Sequence, residues 1–249
     1  MICDRPRDAP ANMALDEALL HAVCSGASPP TIRTYRWSHT AISVGRFQNL
    51  TATLNVPFIL EHGIPVVRRC TGGRGVLHGG DVTISVAMPL RLLGADAGSV
   101  LRSHRRIMSG IAAGLASLGR HAVAGHESFR PQARAGDCFA TASGADLVDP
   151  HAGKLVGAAQ RRTGDALLQQ ISVLWRGADV QHADVFLGTT TEPCYVLADV
   201  PMSRLQRALV EGLCGELRAT YQHGTFSPAE RLTAQRLRDA VSVDLAVLM

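Results

Sequence analysis

The sequence predicts an α+β fold, and three observations carry that reading. Segments with helical spacing open and close the chain around strand-like segments, without a regular strand–helix–strand alternation. Residues 82–88 alternate Val82, Ile84, Val86 and Met88 with Thr83, Ser85 and Ala87, the period of a strand with one buried face. Residues 99–118 place Leu101, His104, Ile107, Met108, Ile111, Leu115 and Leu118 at helical spacing, with Arg102, Arg105 and Arg106 mostly off that stripe.

The elements follow in order. Asn12 can cap a helix running to about Cys24, because Leu15, Leu19 and Val23 share a face, Asp16 and Glu17 suit the first turn, and Gly26 can end it. Residues 31–46 read as two short strands around a Ser-His-Thr turn, and residues 64–69 as another strand. After the 99–118 helix, stopped by Gly119, come a strand at 121–125, an irregular polar loop to about Gly144 and a short strand at 145–148. Asp149-Pro-His-Ala-Gly153 is turn chemistry, and Lys154–Arg162 with Ala166–Trp175 reads as a hairpin. Two helices close the chain, at 203–221 and roughly 228–247, the second opened by the capping box Ser227-Pro-Ala-Glu230.

The chain has 249 residues, 46% hydrophobic and 4% aromatic, which predicts one aliphatic-cored domain over 1–249 with a helical C-terminal part from about 200. A net charge of +4 is too small to argue for nucleic acid but is compatible with an acidic partner. The N-terminus has no signal-length apolar segment, and no run approaches the ~18 apolar residues of a membrane span. Six scattered cysteines form no CxxC pair, so the expectation is a cytoplasmic protein with free thiols, no disulfide framework and no metal site.

Three places carry candidate chemistry. In "RRCTGGRGVLHGGD" (68–81), glycines and arginines lie between strand-like segments. This is either a wide hairpin turn or a loop whose bared backbone approaches an anionic or carbonyl group, with Arg68, Arg69 and Arg74 supplying charge. It matches no phosphate-loop pattern. Lys154 is either a solvated strand-end lysine or a cation that stabilises a carbonyl oxygen gaining charge. Cys138 is either a small packing residue or a nucleophile in a polar loop.

Residues 68–86 resemble the signature of the biotin/lipoate protein ligase and octanoyltransferase superfamily, two arginines before a Thr-Gly-Gly and a later histidine. "NMALDEALL" (12–20), "TIRTYRWSHTAISVGRFQN" (31–49) and "GKLVGAAQRR" (153–162) resemble that family's first helix, following hairpin and lysine motif, in the right order. The resemblance implies a class II synthetase-like fold: a mixed, largely antiparallel sheet flanked by helices, with the acyl group beside the glycine loop. It implies Arg69, Thr71, Gly72, Gly73, Arg74, His78, Gly157 and Ala159 as acyl- or cofactor-binding residues. "CFATASGADLV" (138–148) is similar to the loop of the octanoyltransferases built on the lipoate-ligase scaffold, whose catalytic cysteine precedes the phenylalanine. Carried over, Cys138 takes octanoyl from an acyl carrier protein as a thioester and passes it to the lysine of a lipoyl-domain protein, with Lys154 beside it and no cofactor. The alternatives are an ATP- and Mg²⁺-dependent lipoate–protein ligase acting through lipoyl-AMP, and a non-catalytic lipoyl-domain binder. A basic rim including Arg68, Arg69 and Arg74 is expected to steer an acidic acceptor.

The chain departs from the pattern at three places. Gln169-Gln170 stands where relatives have His-Gly, His78-Gly79 stands for His-Asp, and Ala142 stands for a proline. Cys24 and Cys214 read as helix packing residues, and Cys70 is given no role.

Overall fold

The structure, a computed structural model, describes residues 1–125, 136–190 and 192–248. Its strands are β1 Ile2–Cys3, β2 Thr31–Tyr35, β3 Ala41–Val44, β4 Val66–Arg68, β5 Val76–His78, β6 Asp81–Pro89, β7 Val123–Ala124, β8 Leu147–Asp149, β9 Gly153–Thr163, β10 Ala166–Leu174 and β11 Ser242–Val243. Its helices are α1 Ala9–Cys24, α2 Val56–Glu61, α3 Val100–Ser117, α4 His182–Val185, α5 Met202–Leu217 and α6 Pro228–Val241. Seven strands form one sheet in the order β1-β2-β6-β10-β9-β8-β7, and four form a second in the order β11-β4-β3-β5. The pairings are antiparallel except β1 with β2 and β3 with β4.

The large sheet is covered on both faces. Val82, Ile84, Val86 and Met88 meet Ile107 and Ile111 of α3 and Leu205 and Leu209 of α5. Ala87 and Leu168, on the other face, meet Leu15 and Leu19 of α1, which in turn packs on α6. The expectation of one buried face on β6 is therefore corrected: all of its residues are buried. Its polar positions tolerate this because they have partners, Ser85 donating to Asp16 at 2.5 Å and Thr83 to Asp81 at 3.0 Å.

Local signals hold for α3, for the β9–β10 hairpin and for the capping box that opens α6. Helix α1 starts a turn earlier than expected. Asp8 is its cap, with Oδ1 accepting from Ala11 N at 2.9 Å, while Asn12 lies buried and donates to the carbonyls of Arg7 and Arg36. β2 and β3 do not form a hairpin. They enter different sheets, and residues 36–40 carry the chain between them. Helix α5 ends at Leu217, where Arg218 turns left-handed at φ 51°. Helix α6 stops at Val241, because Ser242 extends and the 242–243 pair joins β4. The polar loop expected after residue 125 falls largely outside the described residues. Among the described residues, no helix is long and apolar enough to cross a membrane.

Candidate active site

The topology of the small sheet accounts for the glycine loop. β4 and β5 flank β3, so residues 69–75 must cross over the end of β3. At the crossing Arg46 N donates to Thr71 O at 2.9 Å, and a Cβ on Gly45 would stand 1.9 Å from Gly73 O. Gly73 itself has φ +88°, a conformation that favours glycine. Arg69 clamps the loop from inside. Its Nε and Nη2 donate to Gly72 O at 3.2 and 2.7 Å, Nη2 also to Arg74 O at 2.6 Å, and Nη1 to Ser43 O and Oγ at 2.8 and 3.2 Å. Every guanidinium N–H thus has a protein acceptor. Burial pushes Arg69 down to about 10, which leaves it charged at neutral pH.

The cysteine loop is pinned to the glycine loop through Gly75. Gly75 N donates to Gly136 O at 2.8 Å, and Cys138 N donates to Gly75 O at 2.7 Å. Asp137, fully buried, accepts from Phe139 N at 2.8 Å on one oxygen and faces His182 Nδ1 at 2.8 Å with the other. The carboxylate next to the thiol is therefore engaged by other partners.

Lys154 enters near the start of β9 and is buried. Its Nζ lies 3.2 Å from Cys138 Sγ, 2.8 Å from Cys138 O, 3.3 Å from Thr141 O and 3.0 Å from Asp146 Oδ2. Asp146 is held in turn by Ser143 N and Oγ at 2.8 and 2.9 Å. Burial works against the Lys154 charge, but Cys138 and Asp146 more than offset it and hold the lysine above its ordinary value. Across from this pair sits Gly157, where any Cβ would stand 2.8 Å from Cys138 Sγ.

A narrow cavity of about 40 Å³ runs past the sulfur, with Val76, Ala158 and Ile171 among its apolar walls. His78, stacked on Trp37 with ring centroids 3.7 Å apart, also lines it. Of the expected residues, Cys138, Arg69, Gly73, His78, Gly157 and Ala159 meet on this cavity. Lys154 reaches it through Cys138. Thr71, Gly72 and Arg74 turn to structural work. The Thr71 hydroxyl donates to Gln170 Oε1 at 2.7 Å, and the other two offer their carbonyls to Arg69. Of the expected basic rim, Arg69 turns inward at 5% exposure and Arg68 Nη1 is drawn onto the carbonyls of Gly45, Arg46 and Gln48, while Arg74 stays half-exposed.

Two of the three departures from the family pattern have local explanations, and nothing in the structure explains Ala142. Gln170 bridges Thr71 to Asp16, its Nε2 donating to Asp16 Oδ2 at 2.7 Å, and Gln169 accepts from Gln160 at 2.9 Å. The acid missing after His78 is supplied by Asp81, 2.9 Å from His78 Nδ1. Sequence reasoning missed Asp146, Asp81 and His182. The first two lie within a few residues of an expected site residue or its loop, whereas nothing local marks the third. Cys214 is buried as expected, but Cys24 is exposed, with its Sγ 3.2 Å from Thr163 O. Cys70 is pushed up to about 12 by burial, an inert thiol.

A thiol held against an ammonium beside a mostly apolar slot is equipped for acyl-group chemistry. The model of the lipoyl protein ligase A/B catalytic domain matches residues 8–216, and the chain belongs to that family. Octanoyltransferase LipM of Kyrpidia tusciae is 35% identical over 250 residues, covering 91% of this chain and 89% of that protein. Octanoyltransferase LipM of Moorella thermoacetica is 38% identical over 169 residues, covering 66% of this chain and 60% of that protein, so less than two thirds of its length is spanned. Among solved structures, protein Ta0514 of T. acidophilum with bound lipoic acid has a TM-score of 0.81 at 22% identity, covering 96% of this chain and 94% of that one. Lipoate-protein ligase A bound with ATP has a TM-score of 0.80 at 23% identity, covering 96% and 93%. These two likenesses establish the fold, mixed and largely antiparallel sheets flanked by helices.

Proposed function

We propose that this protein is an acyltransferase that places an octanoyl group in amide linkage on the acceptor lysine of a lipoyl-domain protein, through a thioester on Cys138. The similarity to octanoyltransferases LipM over most of the chain supports the activity. The observation that carries the mechanism is the 3.2 Å contact between Lys154 Nζ and Cys138 Sγ. The thiolate is the form that attacks, and the ammonium stands beside its sulfur. The thiolate adds to the carbonyl of an octanoyl thioester, the C–S bond to the donor thiol breaks, and that thiol leaves with a proton. The acceptor amine then attacks the Cys138 thioester, loses a proton, and forms the amide as the Cys138 thiolate departs. Both steps pass through an oxyanion, which the Lys154 ammonium stabilises within reach of the same atoms. An octanoyl-acyl carrier protein is the donor, and no cofactor is needed because a thioester is already activated. The whole chain forms one catalytic unit, its C-terminal helices joined to it by α5 against α3 and by β11 on β4.

The test is incubation of a lipoyl domain with octanoyl-carrier protein, or in parallel with octanoate or lipoate plus ATP, read by intact mass. The expected result is a gain of one octanoyl group from the thioester donor, with a hydroxylamine-labile adduct on Cys138. Full activity of Cys138→Ser with free acid and ATP would establish the ligase reading instead. Binding of the domain without a mass change under either donor would leave only the non-catalytic one.

A further inference from the structure

His182 lies in the part of the chain that carries no recognisable motif, 44 residues beyond Cys138, and yet it is buried to 2% exposure beside the site. Its Nδ1 lies 2.8 Å from Asp137 Oδ2. An ionised carboxylate only accepts, so Nδ1 carries the proton and donates. The imidazole is fixed by Phe139 at one side, edge-on at 6.2 Å, and by Phe186 at another, at 6.1 Å. Phe186 in turn fills the space left by the missing side chain of Gly75, the residue that pairs with both Gly136 and Cys138. The short helix α4 therefore reaches the cysteine loop through one hydrogen bond and one ring contact, while Phe186 just beyond it packs on Gly75.

Asp137 is the group this arrangement governs. Its side chain is wholly buried and adjacent in sequence to the thiol, and its two oxygens are held by Phe139 N and His182. Without the imidazole, one oxygen of a buried carboxylate loses its donor, a situation that drives a charge toward the nearest cation. Among the described residues the cation bonded to that loop is Lys154, whose Nζ donates to Cys138 O at 2.8 Å. An unrestrained Asp137 would compete with the Cys138 sulfur for the ammonium and place a like charge near the thiolate.

We propose that His182 is a positioning residue that restrains the Asp137 carboxylate and so reserves the Lys154 ammonium for Cys138. The inference rests on the reading of Cys138 as the acyl-carrying thiol, but its test reads the thiol directly and does not need turnover. The rate of Cys138 alkylation by iodoacetamide is followed at neutral pH by peptide mass, since Cys138 is half-buried whereas Cys3, Cys24 and Cys194 are exposed and react as well. His182→Ala is expected to slow alkylation of Cys138 about tenfold. His182→Asn, whose amide N–H stands close to the place of Nδ1–H, restores most of the rate, and His182→Gln restores less. In the background of Asp137→Asn, which removes the charge, the alanine change has little further effect, because the two residues act as one unit. A His182→Ala protein that alkylates Cys138 at the wild-type rate overturns the proposal. If the alanine variant does not fold, His182→Asn decides: a rate as low as that of Lys154→Met overturns it, and a near wild-type rate upholds it. Failure of octanoyl transfer by the wild-type protein would remove the functional reading and leave this coupling measurable.

Discussion

Gly157→Ala separates the thiol from the ammonium while leaving both in place, and the structure sets the size of the effect. The added methyl stands 2.8 Å from Cys138 Sγ, whereas ordinary contact begins near 3.4 Å, so the sulfur must withdraw by the difference, 0.6 Å. The same methyl lies 3.4 Å from Lys154 Cε and 3.6 Å from Nζ, at ordinary contact, so the lysine has no reason to follow. The sulfur cannot carry its backbone with it, because Cys138 N is tied to Gly75 O at 2.7 Å. Directed away from the methyl, a withdrawal of this size lengthens the 3.2 Å contact with Nζ to about 3.4 Å and shifts the sulfur sideways from its place beside the ammonium. The expected loss is about tenfold in the rate of Cys138 acylation, with a stability cost of about 1–3 kcal/mol from overpacking. Single-turnover acylation by an octanoyl thioester, followed by intact mass, measures the first, and thermal unfolding the second. A folded Gly157→Ala protein acylated at the wild-type rate would refute the argument that this contact activates the thiol.

Two further outcomes follow from the same geometry. Arg69→Lys replaces five engaged donors with three and cannot span Ser43, Gly72 and Arg74, so unfolding in denaturant should show a loss of about 2–4 kcal/mol; an unchanged midpoint would show that the loop holds without the clamp. Asp81 is a pH-sensitive group behind the cavity wall, bonded to His78, Thr83 and Ser172 that line it. Burial opposes its ionisation, but His78, Ser172 and Thr83 outweigh burial and hold it below its ordinary value of 3.8. A folded value below the unfolded one gives stability that is complete above 3.8 and drains as pH falls through the folded value. Unfolding free energy should therefore fall more steeply below about pH 4 in the wild type than in Asp81→Asn; equal slopes would remove Asp81 from the account.

What could be read from the sequence was what is local. The α3 stripe, the β9–β10 hairpin and the Ser227–Glu230 box each depend on residues a few positions apart. Sheet membership is not local. Nothing in residues 31–46 tells β2 to pair with β6 and β3 to enter another sheet, because that choice is made by distant strands. The site divides along the same line. Cys138 and Lys154 lie sixteen residues apart in a stretch with a family pattern, and they meet as that pattern implied. The arginines of the glycine loop read as displayed charge, whereas the loop crosses β3 and turns its own carbonyls inward, so that Arg69 is drawn in to satisfy them. Asp137 and His182, or Asp16 and Gln170 at a separation of 154 residues, meet only because the fold lays α4 against the cysteine loop and α1 against β10.

The two buried cations of the site divide its labour by how their donors are committed. Arg69 has five N–H groups and five contacts with carbonyl or hydroxyl oxygens, so giving one up for a substrate would strand an oxygen of the loop that it holds. Lys154 has three N–H groups and four acceptors, Cys138 O, Cys138 Sγ, Thr141 O and Asp146 Oδ2, all within 3.3 Å. One of these is always shared, so the ammonium can exchange partners without leaving a buried oxygen empty. On the proposed reaction the partner that changes is the sulfur. A thiolate is a strong acceptor, and an acylated sulfur is a poor one. The N–H released on acylation faces the thioester, whose carbonyl oxygen, two bonds from the sulfur, next gains charge. An ammonium with more acceptors than protons can stabilise first the nucleophile and then the oxyanion, with Asp146 and the two carbonyls holding it still in both states.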